Sequence, residues 1–454
     1  MSNRIIQLWK SLYNDNTTQL CHNIIGYCKN KTTNNGRINI KGTVLKSNPY
    51  ELGGNFRTIR EKIPFLKELN IGSLWLTSVF STPCRQKGFD ISSLDEIEFE
   101  LGSEKGLELL IESLHNDNIS LILDVVISRT SIEHPWFIDA RTSPKSKNRN
   151  KYIWTNTTEG LKPVKHNHWP SPDKTWFYNS STDDYYLSSR GEDMPDLNWK
   201  NPEVAHDIIL SLLKLTELPI DGIHLPWIQD IWHHKKVLKL IKYCFEEIGA
   251  DLPIICHQNI PHKTTKSILK PFAYESKIAP EEWVKLISKN ITQDWKRHKN
   301  LSFNLLQDYF HNHCQMVENK KYLWDIVDGD HQKLLLIQAL NASLTGFHTI
   351  LGPNSVGATE TIGTYDEEYI RKTRFDKFFP PHKYYNQLIE LNKQCVEFKD
   401  FLQLKPKVKS KGTLLIIQRR HKKERLWQIF NLSSKKIDYK DKSIEAYSYL
   451  WYLE

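Results

Sequence analysis

The residues able to do chemistry in this chain gather at the ends of short apolar runs. DGIHLPWIQD, residues 221–230, reads as the exit of a buried parallel strand, with Ile223, Leu225 and Trp227 alternating with Gly222, His224 and Pro226. Such strand ends are where α/β enzymes place working side chains. Here the position is filled by Pro226, which has no acid, base or donor, and Asp230 follows four residues on in the next loop. PIICHQN offers His257 or Gln258, and DIVDGDH offers Asp328 or Asp330. LILDVVISRT carries Asp124 and Arg129, and KGFDIS carries Asp90. Carboxylates and imidazoles of this kind serve proton transfer. Each also has a plain structural reading. His257 can be a hydrogen-bonded residue at a strand end, Asp330 the cap of a helix beginning at His331, and Asp90 an acid tied to a loop or an arginine.

The elements that must position these groups alternate along the chain. Strands are expected at 23–27, 71–79, 119–127, 221–227, 253–258, 323–328 and 347–352, with an eighth near 272–274. Amphipathic helices are expected between them at 58–69, 104–116, 202–215, 233–247 and 332–344. LILDVVI shows no alternation, as expected of a strand covered on both faces. Residues 130–200 break the rhythm, with Pro, Ser, Asn and many aromatics and no clear helix; a loop that long is functional or a subdomain. After about residue 400, TLLIIQ, RLWQIFNL and EAYSYLWYLE read as antiparallel strands. The pattern predicts an α/β fold, a (β/α)8 TIM barrel with a subdomain inserted after strand three and a small C-terminal β domain. The corresponding boundaries are 1–22 for an N-terminal segment, 23–129 with 201–398 for the barrel, 130–200 for the insertion and 399–454 for the C-terminal domain.

Composition narrows the function classes. The chain has 454 residues, 39% hydrophobic and 25% charged, with a net charge of +9. Those proportions suit a globular protein. The basic bunches at 145–151 and 419–425 come with no nucleic-acid-binding motif, so no nucleic-acid partner is expected. No run of 18 apolar residues offers a transmembrane helix, and MSNRIIQLWKSLYND has no signal-peptide core. A cytoplasmic location is expected for the sequence as it stands, and an extracellular one if an anchor or signal precedes it. The nine Asn-x-Ser/Thr sequons follow from a chain rich in Asn, Ser and Thr. The 7 cysteines form no CxxC pair, so neither zinc nor dithiol chemistry is expected.

Read in order, FRTIREKIPFLKELNIGSLWLTSVFSTP, KGFDIS, LILDVVISRTSIEHPWF, KYIWTN, MPDLNWKNPEV, DGIHLPW and KYYNQLIELNK resemble the α-amylase superfamily, glycoside hydrolase family 13. The resemblance is to the branch of oligo-1,6-glucosidases, maltases and the related heavy chains of heteromeric amino-acid transporters. It runs from about Gly54 to Leu391. It implies a retaining α-glucosidase mechanism, with one carboxylate attacking the anomeric carbon and another acting as acid and then base.

Carried over residue by residue, the resemblance places Pro226 at the nucleophile and His224 where an arginine orients it. It places His257 or Gln258 at the acid/base glutamate, Asp330 at the strand-seven aspartate, and Ser128 and Arg129 at an Asn-His pair. Asp124 is retained, and Asp90 matches the aspartate that holds a terminal sugar. SNPYELGGNF offers few oxygen ligands for a hard cation, Asn48 and Glu51 first among them, so no calcium-type metal is implied, and no cofactor. The expectation is therefore a catalytically inactive barrel used for binding or scaffolding, with Asp90, Asp124, Arg129, His224, His257 and Asp330 as pocket remnants. Its partner would be a membrane transporter or another protein, or an α-glucoside ligand. The alternatives are an active α-glucosidase using Asp230, His257 and Asp330, and a non-catalytic sugar-binding protein.

Overall fold

The structure, a computed structural model, describes residues 2–31, 33, 36–83, 88–162, 174–256, 285, 288, 330–344, 348–351 and 382–454. The chain begins with two helices, α1 (Ser2–Leu12) and α2 (Thr18–Asn30). The strand expected at 23–27 is part of α2. Its apolar residues follow a helical spacing, with Cys21, Ile24, Ile25 and Cys28 all buried, which is the i, i+3, i+4, i+7 stripe of one helix face. The first strand of the sheet is β1 (Thr43–Ser47).

Next come the short helices α3 (Phe56–Glu61) and α4 (Ile63–Glu68), where one helix was expected. Pro64 lacks the N–H that a continuous helix would need there and sits instead in the first turn of α4. Asn55 opens α3 with a capping box: its side chain accepts from the Thr58 N–H while the Thr58 hydroxyl serves the Asn55 N–H. Strand β2 (Ile71–Leu76), helix α5 (Glu104–Asn116) and strand β3 (Ser120–Asp124) complete two βα steps.

The insertion contains α6 (Pro135–Ala140) and strands β4 (Trp154–Thr155), β5 (Trp176–Asn179) and β6 (Asp184–Leu187), paired in the order β4-β6-β5. Phe137 is its hub, with ring contacts to Tyr152, Trp154 and Tyr186. The short helix α6 had escaped the sequence pattern because six residues give too little period to read. Helix α7 (Pro202–Leu215), strand β7 (Gly222–His224), helix α8 (His234–Glu247) and strand β8 (Ile254–Ile255) follow. Then come helix α9 (His331–Ala342), strand β9 (Thr349–Leu351) and helix α10 (His382–Glu397). The strands expected at 272–274 and 323–328 lie outside the described residues.

The described strands outside the insertion and the C-terminal region form one parallel sheet in the order β8-β7-β3-β2-β1-β9. The sheet curls, and the first strand takes the ninth as its outer neighbour, as a (β/α)8 barrel requires. Two apolar layers result. The large one lies between sheet and helices. The small one, Val44, Trp75, Ile122 and Ile255 with Ile40 against it, fills the inside of the barrel. At Gly222 an added Cβ would come within 2.9 Å of the Ile40 Cδ1 atom, so a larger residue there would have to push the end of that side chain aside. Asp221 pins the same end: it accepts from the Leu121 N–H at 2.6 Å and the Ile38 N–H at 2.7 Å, and meets His115 at 2.8 Å.

The C-terminal domain is an antiparallel sheet, β10 (Lys407–Lys411), β11 (Leu414–His421), β12 (Glu424–Asn431) and β15 (Tyr449–Leu453), with a hairpin of β13 (Ile437–Tyr439) and β14 (Lys442–Ile444). Leu415, Ile417, Leu426, Phe430 and Trp451 join the barrel's main core, so the two domains share one apolar interior.

Candidate active site

Four strands present a row of side chains to the barrel interior near their C-terminal ends. Register places Lys46 of β1 beside Trp75 of β2 and Asp124 of β3 beside His224 of β7. The Lys46 ammonium lies 4.0 Å from the centre of the Trp75 ring. The Asp124 Oδ1 atom accepts from the Trp75 indole N–H at 2.7 Å and meets the His224 Nδ1 atom at 2.6 Å. Asp124 and His224 are both fully buried. Burial alone would raise the Asp124 carboxyl, but His224, Lys46 and the bonds from His224 and Trp75 together hold it below the usual aspartate range. His224 is thus bound to Asp124, on the strand where the family's arginine was expected.

Beyond Pro226 the backbone turns sharply. Trp227 takes φ of 56°, a left-handed conformation rare for a bulky residue, and a short turn over Ile228–Asp230 follows. Proline cannot continue the ladder here, and the turn swings Asp230 back over the mouth. One Asp230 oxygen accepts from Arg129 at 2.8 Å and from Arg190 at 3.0 and 3.1 Å. Arg129 also pairs with Asp196 at 3.3 Å. The Trp227 ring faces both guanidinium groups, at 5.1 Å for Arg129 and 4.7 Å for Arg190, and meets Phe89 edge-on. Burial pushes the Asp196 carboxyl above the usual aspartate range, although Arg129 and a bond from Ser189 oppose it. Two arginines and two aspartates from β3's exit, the insertion and β7's exit therefore meet in one cluster.

The remaining expected residues divide clearly. Asp90 is buried and joined to the Thr82 hydroxyl at 3.2 Å, so it is tied to a loop. Asp330 caps α9, accepting from the Gln332 and Lys333 N–H groups, which is its structural reading. His257 and Gln258 lie outside the described residues. Glu51 accepts from the Ser47 hydroxyl and the Asn48 N–H. Among the described residues no three His, Cys, Asp or Glu side chains gather as a metal site. Sequence reasoning passed over Arg190 and Asp196. Asp196 stands inside MPDLNWKNPEV and could have been picked out there, whereas nothing in the sequence distinguishes Arg190.

A family profile described as alpha amylase, catalytic domain, matches residues 15–327. The oligo-1,6-glucosidase of Bacillus cereus is 37% identical over 180 residues, covering 39% of this chain and 32% of that protein. The α-glucosidase of Schizosaccharomyces pombe is 32% identical over 195 residues, covering 41% and 33%. The match thus spans about a third of the length of these curated relatives. Among solved structures, trehalose-6-phosphate hydrolase of Bacillus licheniformis superposes with a TM-score of 0.65 at 17% identity, over 91% of this chain and 99% of that one. Isomaltulose synthase from Erwinia rhapontici NX5 gives 0.66 at 16% identity, over 87% and 90%. These two show the same fold.

The comparisons correct the expectation of an inactive scaffold, because the sequence relatives carry the names of oligo-1,6-glucosidases. The structure adds one relevant feature, the turn after Pro226. The inactive reading rested on the residues at the strand end and left Asp230 to the alternative, whereas the structure brings Asp230 to Arg129 and Arg190.

Proposed function

Because the chain belongs to the α-amylase family of glycoside hydrolases, we propose that it hydrolyses α-glucosidic bonds. The observation that carries the reading is the family match itself, which spans the segments bearing Asp124, Arg129, Asp196 and Asp230. Two further features support it. Glycoside hydrolysis needs one carboxyl that gives a proton to the leaving oxygen and one that stays charged to meet the positive character at the anomeric carbon. Asp196, pushed up by burial, is suited to the first role. Asp230, flanked by two guanidinium groups, is suited to the second. Trp227 offers an aromatic surface beside them.

The test is turnover of p-nitrophenyl α-glucoside and isomaltose by the purified chain, alongside Asp230→Asn and Asp196→Asn. The reading expects hydrolysis by the unaltered chain and a loss of at least about a hundredfold in each variant. Absence of turnover by the unaltered chain would end it. Turnover that survives both substitutions would keep the activity and remove these two residues from it.

A further inference from the structure

The charge of the chain is not spread evenly. Residues 399–454 carry 14 Lys or Arg against 6 Asp or Glu, a net of +8 out of the whole chain's +9. The preceding 398 residues are close to neutral, so the excess belongs to the C-terminal domain.

Register shows where it points. On β10, Lys407, Lys409 and Lys411 are exposed and lie opposite Gln418, Ile416 and Leu414 of β11. Residues directly opposed across an antiparallel pair share a face. The same face continues through Trp427 and Ile429 of β12 to Tyr452 and Leu450 of β15, and its middle is covered by the hairpin, with Leu414, Ile416, Ile429 and Ile444 buried together. The other face of the sheet is packed on the barrel. The hairpin adds two more lysines to the outer face: Lys440 lies 4.3 Å from the Trp427 ring centre and Lys442 5.6 Å from that of Tyr452. Lys411 lies 5.7 Å from the ring of Tyr439. Trp427 and Tyr452 stand nearly parallel, at 11°.

Lysines on an edge strand guard against edge-to-edge pairing, and that accounts for β10. It does not account for Lys440 and Lys442, which sit on a hairpin over the aromatic rings. Acids temper the face without cancelling it. Glu454 meets Lys440 at 3.5 Å, Asp441 meets Lys442 at 3.6 Å, and Glu445 meets Lys436 at 2.6 Å. Lys407, Lys409 and Lys411 have no ion pair among the described residues.

We infer that the exposed β10 edge and the hairpin that covers this face dock together on an anionic lipid bilayer surface. Most of the carriers are lysines, flexible point charges along the β10 edge and the hairpin, joined by exposed Arg420 and Arg425, which oppose one another on the same face. Lysine lacks the planar fork with which arginine reads a shaped polyanion. Trp and Tyr with apolar bodies and polar tips belong at the headgroup level. Juxtaposed lysines gain about 1 kcal/mol each near an anionic leaflet, falling off within a Debye length. Among the described residues no helix is long and apolar enough to cross a membrane, so the contact would be peripheral.

The experiment is co-sedimentation of the full chain with vesicles of phosphatidylcholine alone and with vesicles of equal parts phosphatidylcholine and phosphatidylserine. Binding is expected to the mixed vesicles only and to weaken as salt rises. The Lys407→Gln, Lys409→Gln, Lys411→Gln triple variant should bind about a hundredfold more weakly, and the corresponding Glu triple variant by a larger factor. Reversing exposed Lys235, Lys236 and Lys239 on α8 makes the same change in net charge on the barrel and should leave binding near the unaltered level. Equal binding to both vesicle types, equal loss in the α8 variant, or no loss in either β10 variant would overturn the inference. So would retention on a heparin column together with no sedimentation with the mixed vesicles, since the face would then serve a soluble polyanion.

Discussion

Asp124 and His224 stand in register on neighbouring strands, and their pairing fixes what pH can do to the barrel. A carboxyl held below its ordinary value contributes stability that is present above the unfolded value, about 3.9, and lost as pH falls through the folded one. Unfolding by urea followed at a series of pH values should therefore show a decline below about pH 4. Asp124→Asn should make that decline shallower, since Asp139, Asp207 and Glu217 are depressed as well, at a cost of about 3 kcal/mol at neutral pH, because it leaves His224 and Lys46 without their buried counter-charge. A pH profile unchanged by the substitution would show that the pair contributes nothing. Asp196 has the opposite sign. Its raised carboxyl keeps a proton further up the pH scale, so kcat/KM for p-nitrophenyl α-glucoside should fall as pH rises through that value. Asp196→Asn should abolish this alkaline limb along with most of the rate. An alkaline limb that persists in the variant would assign it to another group.

The element scale shows what one sequence can and cannot disclose. Helices α5 and α7 were legible to the residue, because each carries a full amphipathic period and a side-chain cap, Ser103 and Asn201. Strands β3 and β7 were legible as buried apolar runs, though shorter than expected, since the ladder ends where the chain turns out towards the mouth. Residues 23–27 misled because a short apolar run fits strand and helix alike, and only its burial on one face of α2 decides. The site was legible in part. Asp124, Arg129 and His224 all proved to sit at strand ends or just beyond, but the turn that returns Asp230 to Arg129 and Arg190 depends on the left-handed Trp227, which propensity does not foresee.

The HPWF segment makes a prediction at this same scale. The ring of His134 accepts the Trp136 N–H at the start of α6, and burial lowers its pKa from 6.5 to about 4. A depressed histidine binds its proton more readily in the unfolded chain, so stability should rise with pH between about 4 and 6.5. Replacing it with Asn keeps a cap and removes the titration. Urea midpoints for His134→Asn should lose that part of the slope while retaining the helix, and an unaltered slope would contradict the assignment.

At the scale of the whole molecule, the C-terminal sheet is joined to the barrel by more than a linker. Arg419 is fully buried on the inner face of β11. Its guanidinium donates to the Ser343 carbonyl at 2.6 Å and to the Leu404 carbonyl at 3.2 Å, and also to the Gln428 side chain. Ser343 closes the C-terminal end of α9, whose carbonyls need partners once the helix stops. One side chain therefore ties a barrel helix to the sheet, inside an apolar layer that runs unbroken from Leu334 and Leu388 to Leu415 and Trp451. A continuous core with a buried polar tie should unfold as one unit, so calorimetry is expected to show a single transition. Arg419→Leu keeps the bulk but leaves buried acceptors unpaired, costing about 3 kcal/mol, and should lower the midpoint of that single transition without splitting it. A separate low-temperature transition, in the unaltered chain or in the variant, would show instead that the sheet is an independent domain resting on the barrel.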